Sequence, residues 1–531
     1  MSGFFVSVRS LIASASAAIY AAFAASGGAA LIGFIQAGIG AIFRTIRDKL
    51  REHVSVRDFG AVGDGVTDDT AAIQLCANAL VAGQTMWFPK TSSRYLFSEV
   101  NVTTANIQIR GGGIIDGSLV FYATGAQREL YPDISGMSFH NVGANTKNFI
   151  VFKNMFYGRV TNNSFKEGNS CIYIPQNTLD TQFQNVSRVV ITGNTYHAVN
   201  RFLLVDAANA NYSYSAADLT VMGNTGLCYF DHVSANTIDG LTCDSNTFLF
   251  PYDVDKLTPP MTTKGCCVTI EMGVHCWITN NKCFESGLGS ISLLDVVHFR
   301  VSGNEHANAG QREKSNAVTV SYTSVPTSNT GIISNETVNE SSGAGVLLAN
   351  NCRNIVIDGG NYLNAGSNSK AYYESPVADP RSVVINPGAG NANCLVINNS
   401  TTFGEYDVPE GGGIELRNNF RESVTNVKAY FNAPSVIDYT SGAAVSIPVD
   451  SCDLVTFSTP FNATVVGVTY SVTSGRYKKV ELINVSGVAV VLVHSASLIL
   501  KGAVNAAIPV DGVVTLIVKS GGVARELSRN F

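Results

Sequence analysis

Two short patterns alternate along residues 160–359, and they constrain the fold more than any other feature. The first is a four-residue apolar segment and the second is a strand that runs into Asn or Gly. The first pattern occurs at 172–175, 203–206, 228–231, 268–271, 292–295, 318–321 and 346–349. The second occurs at 160–163, 191–194, 221–224, 278–281, 301–304 and 356–359. Such a repeat of short strands is typical of a β-solenoid, because each coil buries its apolar face only by stacking on its neighbours.

The turns between these strands support the same interpretation. Asn at repeated turn positions tolerates a left-handed backbone and can form side-chain ladders along the stack. A β-sandwich or a propeller is the alternative, but both need hairpin turns between adjacent strands, and this region mostly lacks them. We therefore predict an all-β protein built on a single-stranded right-handed parallel β-helix.

Composition restricts the remaining possibilities. The 531 residues are too many for one ordinary core, and only 14% are charged, with a net charge of −5. Nucleic acid is not an expected partner, because the sequence has no basic stripe. The 11 cysteines are an odd number, and several lie in apolar runs, which indicates reduced, buried side chains. They lack C-x-x-C spacing, so we expect neither a metal site nor a cofactor.

The N-terminal region is ambiguous. It carries no charge between Arg9 and Arg44, so a membrane anchor or a signal peptide is one interpretation. The isoleucines that follow instead show heptad spacing, which favours a three-stranded helical neck and no membrane insertion. These isoleucines are Ile32, Ile35, Ile39, Ile42 and Ile46.

The sequence changes character at three further points. Val54–Thr70 (VSVRDFGAVGDGVTDDT) contains consecutive glycine turns, and a helix is predicted from Ala71 to about Leu80. The repeats fade after Asn386, and alternating strands from residue 441 predict a separate antiparallel β domain. We therefore expect a neck at 1–53, the β-helix at 54–385, a connector at 386–440 and a C-terminal domain for trimerisation or glycan contact at 441–531.

Two segments carry a family resemblance. Gly28–Gln74, with the motif DFGAVGDGVTDDT, resembles the start of bacteriophage tailspikes of the pectate-lyase-like right-handed parallel β-helix superfamily. Leu482–Asn505 is similar to C-terminal domains of such spikes. The resemblance implies a homotrimer in the virion that attaches to the phage tail or an adaptor through its N-terminus. It also implies depolymerase activity on a bacterial surface polysaccharide, such as capsule, exopolysaccharide or O-antigen. It supplies no catalytic residues.

Strand alternation predicts a ladder of acids. If the first and third residues of each apolar segment face the core, the second and fourth face outward. The fourth positions then include Asp206, Asp231, Glu271 and Asp295 in successive coils. Because stacked strands lie about 4.8 Å apart, such carboxylates repel, and at least one should have a raised pKa.

A protonated carboxyl beside an ionised one is the catalytic pair of a glycosidase. We predict Glu271, Asp295 and Asp231 as catalytic residues. Acids on adjacent coils, about 5 Å apart, would suit a retaining mechanism, and acids two coils apart, about 9–10 Å, an inverting one. The predicted substrate-binding residues are Asp206, Tyr229, Tyr173, His232 and Tyr252.

Other interpretations stay open. The ladder could be a solvated acidic face or could bind Ca²⁺. Endoglycosidic hydrolysis is the leading expectation for activity. A polysaccharide lyase is the alternative enzyme, although it would need a positive site or a metal. A non-catalytic receptor-binding tail fibre is the third possibility.

Overall fold

The computed structural model shows a nearly all-β chain. It describes residues 2–124, 128–143, 145–176, 186–207, 214–250, 265–311, 314–365, 381–386, 390–401, 405–408, 413–417, 419–422, 428–431, 444–448, 454–457, 464–469, 477–484, 490–495, 498–510, 512–519 and 523–530.

The N-terminal region differs from the predicted helical neck. It consists of α1 (Ser2–Ala24), a 3₁₀ turn (Gly28–Ala30), β1 (Gly33–Ile35), β2 (Phe43–Thr45) and α2 (Ile46–Leu50). β1 and β2 form an antiparallel hairpin, so the heptad interpretation of the isoleucines is wrong. Gly38 and Gly40 have positive φ angles of 138° and 85°, and this break in helical geometry outweighs the spacing of the isoleucines. Among the described residues, no helix combines the length and hydropathy needed to cross a bilayer.

The parallel coils begin at residue 53. Each complete coil contributes one strand to each of three columns, and the strands of a column pair in parallel. The first column is a 14-stranded sheet. Its strands are β3 (His53–Ser55), β4 (Thr85–Phe88), β6 (Gln108–Gly111), β8 (Asp133–Ser135), β11 (Met155–Thr161), β14 (Val186–Thr192), β17 (Ala216–Met222), β20 (Ile238–Asp244), β23 (Gly273–Thr279), β26 (Val296–Ser302), β29 (Gly331–Ser334), β32 (Ile355–Asp358), β35 (Leu395–Ile397) and β38 (Glu415–Arg417).

The other two columns are joined at one end by two long strands, β5 (Arg94–Val102) and β7 (Ile114–Tyr122). The second column continues with β9 (Ser138–His140), β12 (Ser164–Lys166), β15 (Thr195–Val199), β18 (Thr225–Cys228), β21 (Thr247–Leu249), β24 (Lys282–Phe284), β27 (Glu305–Ala309), β30 (Thr337–Ser341), β33 (Asn361–Ala365), β36 (Ser400–Thr401) and β39 (Asn419–Glu422). The third column contains β10 (Asn148–Lys153), β13 (Ser170–Ile174), β16 (Arg201–Val205), β19 (Val233–Ala235), β22 (Val268–Ile270), β25 (Ile291–Leu294), β28 (Val318–Ser321), β31 (Val346–Leu348), β34 (Arg381–Ile385) and β37 (Glu405–Asp407). This arrangement confirms the predicted parallel β-helix.

A short helix lies at the first coils. After a 3₁₀ turn (Val56–Phe59), α3 (Thr70–Ala79) follows the predicted glycine turns within one residue of its expected bounds. Ile73 and Cys76 on its apolar face are buried in the core. The helix therefore covers the open end of the first coils. Asp69 does not cap the helix through its side chain. Instead its carboxylate accepts the backbone N–H groups of Val62 at 2.7 Å and Gly63 at 3.1 Å, which fixes the glycine turn.

The interior is held by stacked side chains from successive coils. Phe139 and Phe165 stack at 4.9 Å in the second column, for example. A buried asparagine ladder runs along the corner between the first and second columns. Each Asn amide donates both to a backbone carbonyl of the preceding coil and to the next Asn of the ladder. The ladder contains Asn163, Asn194, Asn224, Asn246, Asn281 and Asn304, and then Glu336 takes the next place. This confirms the predicted role of Asn in the repeats.

The parallel coils continue past residue 385. β35 pairs with β32, and β38 pairs with β35, so the β-helix extends into the segment expected to be a connector. β40 (Lys428–Phe431) then pairs antiparallel to β39. The late strands are as short as the two residues Ser400–Thr401, which explains why the repeat is not visible in the sequence.

The C-terminal region contains two mixed sheets. Among the described residues one sheet has four strands and the other has five, with both parallel and antiparallel pairs. The expectation of a β region with antiparallel pairing is confirmed, although the pairing is not purely antiparallel. The strands are β41 (Ala444–Pro448), β42 (Leu454–Phe457), β43 (Thr464–Thr469), β44 (Tyr477–Asn484), β45 (Val490–Leu492), β46 (Leu498–Ile499), β47 (Ala506–Ile508), β48 (Val513–Lys519) and β49 (Val523–Asn530), and a 3₁₀ turn lies at Lys501–Ala503.

Candidate active site

The third column carries the predicted acidic ladder, but its register differs from the prediction in two coils. Val205 of β16 pairs with Ala235 of β19, which pairs with Ile270 of β22. Ile270 in turn pairs with Leu293 of β25. The position that follows each of these residues is therefore filled, in successive coils, by Asp206, Asn236, Glu271 and Leu294. Asp206 and Glu271 share the predicted register, and Asp231 and Asp295 do not.

For the coil that contains Asp231, the sequence pattern predicts the wrong segment as the third-column strand. Cys228 ends β18 of the second column, and the third column is formed by Val233–Ala235 instead. Because Cys-Tyr-Phe is more apolar than Val-Ser-Ala, the pattern of apolar residues favours Cys-Tyr-Phe as the strand. In the structure these residues lie at the end of β18 and in the corner that follows it. Asp231 consequently lies at that corner, beside the start of the third column.

For the coil that contains Asp295, the predicted register is wrong by one residue. Ile291 and Leu293 are buried, whereas Ser292 and Leu294 face outward. Since side chains alternate along a strand, this slip exchanges the two faces. Asp295 follows the strand with a left-handed φ of 55°. Its two carboxylate oxygens accept hydrogen bonds from the backbone N–H and hydroxyl of Thr323, at 2.8 and 2.9 Å, which is a structural role in the turn.

The corner nevertheless brings Asp231 to the outer face of β22. Its carboxylate accepts the backbone N–H of Cys266 at 2.7 Å and is hydrogen bonded to the side chain of Thr269. Burial raises the pKa of Asp231. The Cys266 N–H, the charge of Arg201 and Thr269 oppose this rise, and the negative charge of Glu271 adds to it. Asp231 and Glu271 are thus close enough to interact electrostatically.

Glu271 differs from Asp231 in its environment. It is exposed, and its backbone N–H donates to Ala235 at 3.0 Å, which keeps it in register with the third column. Thr269 and Glu271 are alternate residues and project from the same face, about 6.6 Å apart along the chain. A half-buried acid with a raised pKa therefore lies near an exposed acid, an arrangement that can donate and accept protons on opposite sides of one bond.

Arg201 completes this cluster. It begins β16, and its guanidinium lies 5.0 Å from the centre of the Phe230 ring. Its Nε is buried and has no hydrogen-bond partner among the described residues. A cation held in this way can lower the pKa of Asp231 or bind an oxygen of a ligand. Arg201 and Thr269 are not among the residues predicted from the sequence, although an Arg at the start of the apolar run Phe-Leu-Leu-Val is unusual and could have been recognised.

Asp206 and Tyr173 form the second part of the site. The Tyr173 hydroxyl donates to the Asp206 carboxylate at 2.5 Å, and burial together with this bond raises the pKa of Tyr173. Asp206 and Glu271 lie two coils apart, a distance of about 10 Å, with Asn236 between them. Both Tyr173 and Asp206 are half-buried and accessible on the outer face.

The other predicted binding residues have different fates. His232 is fully buried, and its Nδ1 lies 2.7 Å from the Tyr196 hydroxyl. Burial lowers its pKa to about 3, so it is a neutral core residue and the prediction that it binds substrate is wrong. Tyr229 is half-buried at the corner near Asp231. Tyr252 lies outside the described residues.

Comparison with known proteins agrees with this architecture. Residues 53–248 match the family described as "Rhamnogalacturonase A/epimerase, pectate lyase-like". The matched residues lie within the three columns of parallel strands, so this segment is similar to pectate-lyase-like parallel β-helix proteins.

Two curated relatives narrow the resemblance. The chain is 35% identical over 91 residues to the tail spike protein of Shigella phage Sf6, covering 16% of this chain and 15% of that protein. It is 36% identical over 81 residues to "Depolymerase 1, capsule K30/K69-specific" of Klebsiella phage K5-2, covering 15% of this chain and 10% of that protein. The predicted resemblance to phage tailspikes of the parallel β-helix class is thereby confirmed. The matched segments are short relative to both relatives.

A phage tailspike is among the solved structures that are similar to this chain. The tailspike protein of E. coli bacteriophage HK620, in complex with a pentasaccharide, is 11% identical to this chain with a TM-score of 0.44, covering 90% of this chain and 89% of that one. The fold assignment itself rests on the strand pairing described above.

Proposed function

We propose that this chain is a phage tailspike that binds a bacterial surface polysaccharide and cleaves it by hydrolysis at the Asp231–Glu271 site. Within this proposal, the spike is a homotrimer attached to the tail through its N-terminal region, and it acts at the bacterial surface. The resemblance to a tail spike protein and to a capsule-specific depolymerase supports the biological role. The single observation that supports the chemistry is the raised pKa of Asp231 next to the exposed carboxylate of Glu271.

In the proposed mechanism the two acids have different roles. Asp231 is protonated and donates its proton to the glycosidic oxygen as the bond to the leaving sugar breaks. Glu271 is ionised and accepts a proton from the water that attacks the anomeric carbon. Inverting glycosidases separate the two carboxyl groups by about 6.5–9.5 Å to admit this water. The proposed inverting mechanism requires this separation of the Asp231 and Glu271 carboxyl groups, whereas a retaining mechanism would require about 5–5.5 Å.

The surrounding residues orient the sugar. Asp206 offers a carboxylate that can accept hydrogen bonds from sugar hydroxyls, and Tyr173 offers an aromatic ring for contact with a sugar face. Because Asp206 lies about two coils from Glu271, these two side chains suit a neighbouring sugar unit. Arg201 offers a cation beside Asp231 for an oxygen of the substrate. In this proposal Asp206, Tyr173 and Arg201 bind and align the polysaccharide and transfer no proton.

A lyase is the second candidate, because Arg201 could neutralise the carboxylate of a uronic acid. Lyase chemistry also needs a base, and the raised pKa of Tyr173 makes that hydroxyl a poor one. Hydrolysis is therefore the better match to the residues present.

The test uses the full chain and Glu271→Gln. We expect the variant to lose depolymerisation of a polysaccharide that the wild type degrades, while it still binds that polysaccharide. Glu305→Gln is the matched control, since Glu305 is a half-buried glutamate in the second column. Full activity of Glu271→Gln would contradict the assigned site, and products that absorb in the ultraviolet as unsaturated uronides would identify a lyase.

A further inference from the structure

The corner that leads into the first column carries an unusual ladder. In most of the coils one residue there adopts a left-handed backbone. In the outer coils this residue is Asn, namely Asn106, Asn354 and Asn393, with φ angles of 54°, 55° and 53°. In the inner coils it is Tyr131, Tyr157, Arg188, Asp218, Gly240, His275 and His298, with φ angles of 51°, 62°, 56°, 50°, 80°, 55° and 53°. We call these seven residues the corner ladder.

Three of these residues, Tyr131, Tyr157 and Arg188, are of types that tolerate the conformation poorly. Tyr and Arg are disfavoured in the left-handed region, where Gly is readily accommodated and Asn, Asp and His are enriched. A second left-handed corner in the same coils, between the first and second columns, consists mostly of Gly and Asn. There the positions are Gly136, Asn162, Gly193, Gly223, Ser245, Asn280 and Gly303. Strained residues cluster at functional sites, which directs attention to the contacts of Tyr131, Tyr157 and Arg188.

One end of the corner ladder forms an aromatic and cationic platform. Tyr131 and Tyr157 stack in parallel, with centroids 4.6 Å apart and planes at 4°. The Arg188 guanidinium covers the Tyr157 ring at 5.3 Å, and its Nη1 donates to the Tyr157 hydroxyl at 2.9 Å. Together with Arg159 and Val190 of the first column, these residues line a groove of about 230 Å³.

Arg159 and Arg188 bring two guanidinium groups to this groove. Two neighbouring acids are already paired, Asp133 with Arg110 at 2.7 Å and Asp218 with Arg188 at 3.7 Å, and the exposed Glu129 lies near Tyr131. Arg159 is exposed, and its side chain has no ion-pair or hydrogen-bond partner among the described residues. A guanidinium without a partner beside tyrosine rings matches a ligand that combines an apolar ring face with a carboxylate.

We propose that this groove is a second, non-catalytic saccharide site that binds an acidic sugar unit. The sugar ring would lie on the exposed face of the tyrosine pair, and its carboxylate would be bound by Arg159, with Arg188 holding Tyr157 in place. The groove lies on the first column, whereas the Asp231–Glu271 cluster lies at the third. The site would therefore hold a polysaccharide chain to the spike independently of its cleavage.

The test measures binding of hyaluronan oligosaccharides, which carry a uronic acid in every repeat, with neutral dextran oligosaccharides as the comparison probe. Arg159→Gln should weaken hyaluronan binding by at least about ten-fold, because a charge-assisted contact is lost. Arg300→Gln is the matched control, since Arg300 is an exposed arginine in the same outward row of the first column. It should bind like the wild type.

Tyr157→Asn separates binding from folding. Asn is the residue that the same corner uses in the outer coils, so the variant should fold with a thermal midpoint within about 3 °C of the wild type. It should nevertheless lose hyaluronan binding. The proposal is overturned if the wild type shows no saturable binding of hyaluronan, if dextran binds equally well, or if Arg159→Gln binds like the wild type. It is also overturned if these variants change the oligomeric state in sedimentation, since the groove would then be a subunit contact.

Discussion

Asp231→Asn tests both the proposed chemistry and the reason for the raised pKa of Asp231. The substitution preserves size, and the Asn amide oxygen can still accept the Cys266 N–H that now lies 2.7 Å from the carboxylate. The amide group cannot donate a proton to a leaving sugar. The change therefore removes the acid and leaves the packing of the corner in place.

The expected loss of rate follows from the role of a general acid. Such a group contributes about 10²–10⁴-fold to the rate, which corresponds to about 2.7–5.4 kcal/mol of transition-state stabilisation. Binding of the polysaccharide should change little, because Asp206, Tyr173 and Arg201 are unaltered. The loss should hence appear in kcat more than in KM.

Although Asp231→Asn should lose activity, it should be more stable than the wild type at neutral pH. Burial raises the pKa of Asp231 above its ordinary value of 3.8, so the folded state holds this proton more tightly than the unfolded state. The contribution of Asp231 to stability is therefore complete below pH 3.8 and is lost as the pH rises through the folded-state pKa. Asp231→Asn should consequently have a higher thermal midpoint than the wild type at neutral pH, and this difference should disappear at about pH 3.

Two measurements check this prediction: release of reducing ends from the polysaccharide and thermal unfolding at both pH values. Activity within about ten-fold of the wild type would refute the role of Asp231 as the acid. A lower thermal midpoint of the variant at neutral pH would refute the argument from burial.

Two further predictions concern the β-helix core. Asn224→Ala removes four side-chain hydrogen bonds of the asparagine ladder, so it should lower the free energy of unfolding by about 4 kcal/mol, as measured by denaturant titration. Glu336→Gln should cost about 3–5 kcal/mol at neutral pH, because Glu336 lies 2.6 Å from the buried His306. Burial opposes protonation of His306, but its hydrogen bonds to Cys283 and Glu336 outweigh this effect and raise the pKa of His306 to about 9. The wild type should therefore lose stability as the pH rises through about 9, and Glu336→Gln should lack this transition. An unchanged midpoint in either variant would contradict the assigned contacts.

The sequence predicted the larger features of this protein. Repeated short strands with Asn at their ends indicated a parallel β-helix, since a coil of that kind has no other way to bury its apolar face. The motif DFGAVGDGVTDDT indicated the family and the helix that covers the first coils. The same alternation placed Asp206 and Glu271 in one register, because both follow strands with a clear apolar pattern.

The predicted acidic ladder is the feature that the tertiary structure changed most. Its register depends on which residues pair across coils, and a short, weakly apolar strand such as Val233–Ala235 leaves that choice undetermined in the sequence. Only the fold showed that Asp231 reaches Thr269 from a corner and that Leu294 takes the expected place of Asp295. The sequence alone determined that coils stack and that acids lie along their outer face. The tertiary structure decided which acids lie together and which of them is buried, because pairing register and desolvation arise from contacts between residues far apart in the chain.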